Sequence, residues 1–301
     1  MKQELLERLE KTERLPVVPV VAAQVLSIVD KPTTSLSDIA DIIEKDPALS
    51  LRVMQMANSA FYGRSRSICA VLPALTLIGL KHAVPLVIAL SAKSAMSESA
   101  GLAGRVDLDM YWRRAVLTSC LSSKLAAYVG VVSPEEALLA GLLQDIGVLV
   151  CAAAFPAAYP EKLDLFSVDH ERLCDYEVNT FGSDHSQFGA WLLARWGLPA
   201  ALVAAVRNSH ETPLNKESSL HWCVAGAGCI ANCLMHGMSA GTLRDHIRSA
   251  LHFYWLRMDV DEVDEFTIEL LDLVAVTESL FDADVISALE SRVAGERLEK
   301  V

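Results

Sequence analysis

The sequence lacks the features that mark several large classes of protein. Aromatic residues make up only 6% of its 301 residues, lysine and arginine form no dense cluster, and the formal net charge is −12. An acidic chain without a basic patch is a poor ligand for the phosphate backbone of nucleic acids, so no nucleic-acid partner is expected. The N-terminus has no signal-like segment, and no fixed-period repeat is apparent.

Paired cysteines and a membrane span are also missing. The seven cysteines are scattered and odd in number, which predicts reduced thiols in a cytoplasmic protein. The most apolar long stretch, 70–92, contains Lys81 near its middle and is interrupted by Pro73 and Pro85. A lysine at the centre of a bilayer costs about 2.5–3.5 kcal/mol on insertion scales. This stretch therefore predicts a pair of buried helices, with no membrane insertion.

What is present favours an all-α fold. Hydrophobic residues make up 52% of the chain, and about a dozen segments have helical periodicity, whereas no segment has a convincing strand pattern. We expect a single unit over 10–285. It comprises an N-terminal helical part over 10–100, a second helical part over 110–240 and a C-terminal helical extension over 241–301.

The chain is organised around the stretch 141–147, an acidic residue within apolar sequence. Ser133, Pro134 and Glu136 are typical of a helix start, and the spacing predicts one helix over 134–150. Asp145 falls on the apolar face of that helix and is expected to point into the interior. A buried carboxylate is costly unless it meets a cation, a metal ion or several hydrogen-bond donors.

Two local patterns suggest other functions and are weaker. The two helices that meet at Asp46-Pro47 look like a helix-turn-helix, but the second offers only Arg52 and Gln55 as plausible base contacts. Cys229, Cys233 and His236 are spaced for a zinc site on one helix, yet the small residues around them favour tight helix packing with buried thiols.

A series of short motifs runs through the chain in a definite order. They are Leu15-Pro16, Asp46-Pro47-Ala48-Leu49, Ala57-Asn58-Ser59-Ala60, Leu77-Ile78-Gly79, Tyr111-Trp112, Ala140-Gly141-Leu142-Leu143, Glu177, Gly182, Asp184-His185, Gly189-Ala190, Trp196 and His210. Together, over about 10–240, they resemble the HDOD domain, a bacterial signalling module related to the HD-superfamily phosphohydrolases.

The resemblance implies an N-terminal helical bundle packed on a degenerate HD-like helical subdomain. In catalytic HD enzymes, a histidine, a His-Asp pair, further histidines and a final aspartate hold one or two divalent metals. Such an ion lowers the pKa of a bound water so that the water can attack phosphorus. Carried onto this chain, that set becomes the vestigial site Arg114, Gln144, Asp145, His185, His210 and Asn232.

The departures from the set argue against catalysis. A guanidinium is always charged and repels a metal, and a glutamine offers only a neutral amide oxygen. We therefore expect no catalytic residue, no metal and no cofactor. Instead, Arg114 or a histidine is predicted to pair with Asp145 in a buried ion pair, and His185 and His210 to make structural hydrogen bonds at helix ends.

The family signature is also expected to be structural. Asp46 and Pro47 suit a helix start, while Asn58 and Ser59 suit a helix end, where their side chains satisfy loose carbonyls.

The function expected from the resemblance is that of a non-catalytic signal-transduction module, a pseudoenzyme that acts in the bacterial cytoplasm by protein–protein contact. The regulation would be two-component or linked to cyclic di-GMP, with a response regulator, a histidine kinase or a diguanylate cyclase as partner. The alternatives are a metal-dependent phosphohydrolase or phosphodiesterase acting on a nucleotide, and a non-catalytic nucleotide sensor. The sequence does not separate a scaffold from a sensor.

Overall fold

A computed structural model of the chain consists of α-helices and the loops that join them. It describes residues 3–12, 15, 19–29, 31, 33–59, 67–97, 106–130, 132–159, 170–210, 219–236 and 259–290. The described residues contain fourteen α-helices of at least eight residues and no β-strand, which confirms the predicted all-α fold. The predicted helix over 242–257 lies outside the described residues.

The N-terminal part contains six helices. They are α1 (Gln3–Glu10), α2 (Val20–Val29), α3 (Leu36–Ile43), α4 (Pro47–Ala57), α5 (Val71–Ile78) and α6 (Leu80–Ser97). A capping box between Ser35 and Asp38 starts α3. Gly79, whose φ of 80° suits glycine, separates α5 from α6, and the two helices are bent by 118° to each other.

The second part and the C-terminal extension supply the other eight. They are α7 (Leu108–Val129), α8 (Pro134–Leu143), α9 (Ile146–Ala154), α10 (His170–Phe181), α11 (His185–Arg195), α12 (Ala200–Arg207), α13 (Ser219–His236) and α14 (Val260–Phe281). A further helical turn covers 285–290. Helix α7 is central, because it packs against α8, α13 and α14.

The predicted helix over 134–150 is two helices in the structure. Helix α8 ends at Leu143 and α9 begins at Ile146, with a turn at Gln144 and Asp145 between them. The stretch Pro134–Ala154 is long and apolar enough to cross a membrane, but 94% of its apolar 18-residue window is buried inside the described part of the protein. The break places Asp145 at a helix junction rather than mid-helix.

Helix α1 packs on the end of α9 in spite of its charged sequence. Leu9 is fully buried, and the guanidinium of Arg8 lies 4.7 Å from the centre of the Phe155 ring. This helix therefore joins the N-terminal part to the end of α9.

Asp46 and Asn58 of the family signature cap α4, as expected, but the prediction for Ser59 was wrong, because its buried Oγ has no hydrogen-bond partner among the described residues. Asp46 accepts hydrogen bonds from the backbone N–H groups of Ala48 and Leu49, both at 3.0 Å. At the other end, the Asn58 amide donates to the carbonyl of Ile68 at 2.8 Å and accepts from its N–H at 2.7 Å. The side chain of Asn58 thus ties the end of α4 to the start of the segment before α5.

Arg52, one of the two residues that could contact a DNA base, forms bonds within the protein. Its guanidinium donates to the Ser279 carbonyl at 3.0 Å and pairs with Asp282 at the end of α14. Lys93 in α6 donates to the Phe281 carbonyl of the same helix. These contacts fasten the C-terminal extension to the N-terminal part.

Candidate functional site

Glycines let three helices approach Asp145 closely. A Cβ atom added to Gly147 would lie 1.8 Å from the His185 carbonyl oxygen and 2.6 Å from the Gly189 nitrogen. A Cβ atom on Gly141 would lie 2.4 Å from Ser122 Oγ in α7. Only glycine at these positions permits the observed packing of α9 on α11 and of α8 on α7.

Arg114 and Asp145 form the buried ion pair that the sequence predicts. Arg114 Nε donates to Asp145 Oδ2 at 2.8 Å, and each side chain is only 2% exposed. Arg114 Nη2 also lies 3.5 Å from the Gly228 carbonyl in α13. The guanidinium therefore links α7, the α8–α9 junction and α13.

Three histidines surround the second oxygen of the same carboxylate. The Nε2 atoms of His170, His185 and His210 lie 3.5, 3.4 and 3.7 Å from Asp145 Oδ1. The Nε2 atom of His210 is 2.7 Å from that of His185 and 3.5 Å from that of His170. We call these three residues the histidine cluster. Asp145 Oδ1 is buried and has no hydrogen-bond partner among the described residues.

A carboxylate behind the cluster fixes the orientation of His185. Glu177 Oε2 lies 2.6 Å from His185 Nδ1 and accepts a hydrogen bond of 2.7 Å from the His185 backbone N–H. Tyr159 donates its hydroxyl proton to the other oxygen of Glu177. Because Nδ1–H donates to Glu177, the Nε2 atom of His185 faces the cluster.

The loop that carries His210 is held by hydrogen bonds to two helices. Ser186 Oγ donates to the Arg207 carbonyl at the end of α12 at 2.8 Å. His221 Nε2, on α13, lies 2.6 Å from the Asn208 carbonyl. These contacts fix the turn that follows α12, and His210 points from it into the cluster.

The charges around the cluster compensate one another. Burial alone would lower the pKa of His185, but Glu177 and Asp145 outweigh it and raise that pKa to about 10. Burial lowers the pKa of His210 to about 4 and holds that of His170 well below its usual range. At neutral pH two cations, Arg114 and His185, therefore face two carboxylates, whereas His170 and His210 are neutral.

Asp145 stays ionised in spite of its burial. Burial would raise its pKa, but the Arg114 guanidinium and the charged His185 imidazole hold it well below the ordinary value. The carboxylate is thus available either to an internal cation or to a bound one.

Two members of the vestigial site are peripheral. Gln144 Nε2 lies 3.4 Å from Asp145 Oδ2, and its side chain fits against Gly228, where an added Cβ atom would lie 3.0 Å from the amide. Asn232 lies one turn further along α13, and its buried Oδ1 has no hydrogen-bond partner among the described residues. Neither residue contributes to the histidine cluster.

The donor set fits one metal ion and does not fit two. The positions where a catalytic relative has its first two histidines hold Arg114 and Gln144, which supply a cation and a weak neutral donor. The histidine cluster, by contrast, offers three imidazole nitrogens that converge within hydrogen-bonding distances. The expected absence of a metal therefore stays a prediction, and the cluster is where one ion would bind.

The sequence did not reveal the roles of three residues at this site. His170 and Cys174 are candidate ligands, and Glu177 orients His185. They are spaced i, i+4 and i+7 along α10 and so share one face of that helix. Cys174 Sγ and ligand nitrogens of the three histidines all lie within 4.8 Å of one another. The spacing was the available signal, but the polar segment around α10 gave no reason to place that face against Asp145.

The rival cysteine site is not assembled in the described part of the chain. Cys223 is buried, and Cys229 and Cys233 are half-buried, while the side chain of His236 lies outside the described residues. Among the described residues, ligand atoms suited to a metal come together around His170, and no such group is found among the described side chains of α13.

Comparisons with known proteins identify a family and agree with the fold. A family model described as HDOD domain matches residues 15–212. Among solved structures, a candidate phosphohydrolase of Shewanella amazonensis SB2B has a TM-score of 0.73 at 22% identity, over 93% of this chain and 98% of its own. A candidate signal transduction protein of Marinobacter aquaeolei VT8 has a TM-score of 0.65 at 22% identity, over 94% of this chain and 62% of its own. At this identity the two structures show the fold alone.

A curated protein of Treponema pallidum (strain Nichols), named as uncharacterized, is 27% identical over 213 residues. The match covers 68% of this chain but 39% of that protein. The relative is thus much longer than the shared region.

Proposed function

The chain belongs to the HDOD family, and we propose that it is a signalling module without phosphohydrolase activity, which acts by contact with other proteins. The observation that carries the proposal is the buried pair between Arg114 Nε and Asp145 Oδ2. In a two-metal phosphohydrolase, that carboxylate would have to bind metal. Here an internal cation holds one of its oxygens.

The burial of the site supports the same proposal. The side chains of Asp145 and His185 are at most 2% exposed, that of His170 is 7% exposed and that of His210 is 14% exposed. A phosphoester must place its phosphorus beside the activated water, and hydrolytic sites keep an open position for that purpose. This site instead joins α7, α9, α10 and α11, so its role would be to hold the surfaces of those helices in one arrangement.

The partner would be a bacterial signalling protein. We favour a response regulator, a histidine kinase or a diguanylate cyclase in the cytoplasm, in two-component or cyclic di-GMP linked regulation. Support comes from the family and from the signal transduction name of the Marinobacter neighbour.

A hydrolase with one metal is the second candidate function. The specific observation in its favour is the histidine cluster together with Asp145 Oδ1, which is a donor set suited to a divalent ion. The name of the Shewanella neighbour agrees with it. A nucleotide sensor would use the same residues without turnover.

Hydrolysis assays separate these functions. The full chain, freed of metal and then supplied with manganese, iron or zinc, is incubated with bis(p-nitrophenyl) phosphate, nucleoside monophosphates and cyclic dinucleotides. We expect no hydrolysis above that of the metal salts alone. Turnover by the wild type that disappears in His210→Ala would overturn the proposal, because a contaminating enzyme would be present in both preparations.

Nucleotide binding without hydrolysis is measured on the same preparations by calorimetry. Saturable binding that is lost in His210→Ala identifies a sensor and overturns the purely protein-binding proposal. We expect no heat of binding from any of the nucleotides.

A further inference from the structure

Cys174 completes a set of four ligand atoms around the histidine cluster. One atom each from His170, Cys174, His185 and His210 lies within 4.8 Å of the other three. His170 and Cys174 are one helical turn apart on α10, while His185 begins α11 and His210 follows α12. Three separate elements thus converge on one small space.

The ligand atoms in this space converge on one another. The Nε2 atoms of His185 and His210 are 2.7 Å apart and share one proton, and those of His170 and His210 are 3.5 Å apart. The buried Oδ1 atom of Asp145 lies 3.4–3.7 Å from the three Nε2 atoms. Imidazole nitrogens that converge in a buried space beside a carboxylate form a place suited to a cation.

We propose that His170, Cys174, His185 and His210 bind one divalent ion of the zinc class as a closed, non-hydrolytic site. Three imidazoles and a thiolate form a soft ligand set that favours zinc over magnesium, calcium or manganese. The inference builds on the proposed function, because four protein ligands leave no open position for a reacting water.

The spacing of the donors suits such an ion. With metal–nitrogen distances of about 2.0–2.1 Å and a metal–sulfur distance of about 2.3 Å, donors in a tetrahedral zinc site lie roughly 3.3–3.7 Å apart. Small rotations of side chains bring donors that lie within 4.8 Å into that range. Binding releases two protons to the solvent, the thiol proton of Cys174 and the proton shared between the Nε2 atoms of His185 and His210, because zinc binds a thiolate and unprotonated imidazole nitrogens.

Cys174 is a better fourth ligand than Asp145. The Arg114 guanidinium is 2.8 Å from Asp145 Oδ2, so an ion on that carboxylate would lie beside a fixed positive charge. Cys174 is only partly buried, which gives an ion a route to the cluster. Glu177 accepts a hydrogen bond from His185 Nδ1, the support that metal-binding histidines usually have.

The test uses the tag-free full chain, since a histidine tag would itself bind metal. Protein stripped with a chelator is titrated with zinc chloride and with cobalt chloride. Metal content is measured after gel filtration, and absorption spectra are recorded for the cobalt form. We expect one ion per chain and a near-ultraviolet charge-transfer band from cobalt to thiolate.

Variants assign the ligands. Cys174→Ser should abolish the charge-transfer band and lower zinc affinity by about tenfold or more, because hydroxyl is a far weaker ligand than thiolate. Cys69→Ser, which changes an exposed cysteine outside the cluster, is the matched control and should bind as the wild type does. Circular dichroism confirms that both variants are folded.

Three outcomes overturn the inference. The first is that the wild type binds no stoichiometric metal, and the second is a cobalt spectrum that Cys174→Ser leaves unchanged. The third is metal binding that is lost in Asp145→Asn but retained in Cys174→Ser. None of them bears on the proposed absence of hydrolysis, which is measured separately. Hydrolysis by a zinc-loaded chain would overturn the proposed function and the closed character of the site, whereas the cobalt spectrum of Cys174→Ser would still decide whether Cys174 is a ligand.

Discussion

At the scale of single residues, the Arg114 guanidinium compensates the buried negative charge of Asp145. Its Nε atom lies 2.8 Å from Asp145 Oδ2, and both side chains are almost fully removed from water. Buried ion pairs add little net stability compared with apolar residues of the same shape, but removal of one partner is costly. Asp145 would then be left with an uncompensated charge in the core.

We therefore expect Arg114→Ala to lower the free energy of unfolding by about 3–5 kcal/mol. Urea unfolding at pH 7 followed by circular dichroism measures the change. The matched control is Arg207→Ala, which removes an exposed arginine and should shift stability by less than about 0.5 kcal/mol. An Arg114→Ala variant with the wild-type midpoint would contradict the buried pair.

At the scale of helices, the site depends on how closely α9 and α11 approach. Gly147 lies against the backbone of His185, where even a methyl group has no space. The turn at Gln144 and Asp145 lets α9 leave the line of α8 and reach α11. The position of His185 is thus set by backbone contact as well as by Glu177.

Gly147→Ala should lower the free energy of unfolding by about 3 kcal/mol or more, because backbone atoms cannot move aside as a flexible side chain can. Gly226→Ala is the matched control. Its added methyl would meet only the Leu125 side chain at 3.7 Å, and the gain in helix propensity should stabilise the protein by up to about 1 kcal/mol. Thermal melts of the two variants measure the difference, and equal effects would disprove the close contact.

Helices with strong end signals could be predicted from the sequence. Asp46-Pro47 and Ser133-Pro134 start α4 and α8 where the local chemistry indicates. The break at Asp145 could not be predicted, because apolar periodicity continues across it and the turn is set by packing on α11. The buried face of α1 was missed for a related reason, since Phe155 is far away in sequence.

The candidate site could be predicted only where the family pattern supplied the positions. Arg114, Asp145, His185 and His210 meet in the structure as the resemblance implies. His170 and Cys174 have no such guide, and only the three-dimensional path of α10 brings them to Asp145. Ligand sets assembled from several helices are not visible in local sequence.

At the scale of the whole molecule, the histidine cluster links stability to pH. His185 has a folded pKa of about 10 against an ordinary value of 6.5, so the proton it holds stabilises the fold below pH 6.5 and this contribution is lost as the pH rises towards 10. His210 has a pKa of about 4 in the folded protein. Above pH 6.5 it is neutral in both the folded and the unfolded protein, so its burial does not change the pH dependence of stability there. As the pH falls from 6.5 towards 4, protonation of the unfolded protein lowers the stability of the fold.

For the metal-free protein, stability should therefore be greatest near pH 6.5 and decrease on both sides. Melting temperatures from pH 4 to 10 in the presence of a chelator measure the profile. In His210→Ala the acid limb should become shallower while the alkaline limb is retained. Identical profiles for the wild type and this variant would show that His210 is not buried in the neutral form.

The pair of Arg114 and Asp145 has a consequence for genetics. In a mutagenesis screen for loss of function, both positions would tolerate few replacements, and Asp145 would score like the catalytic aspartate of an enzyme. The cause would differ, because such variants would be depleted from the cell by proteolysis of unfolded chains rather than present and inactive. Protein abundance, scored beside phenotype, would distinguish a residue kept for folding from one kept for turnover.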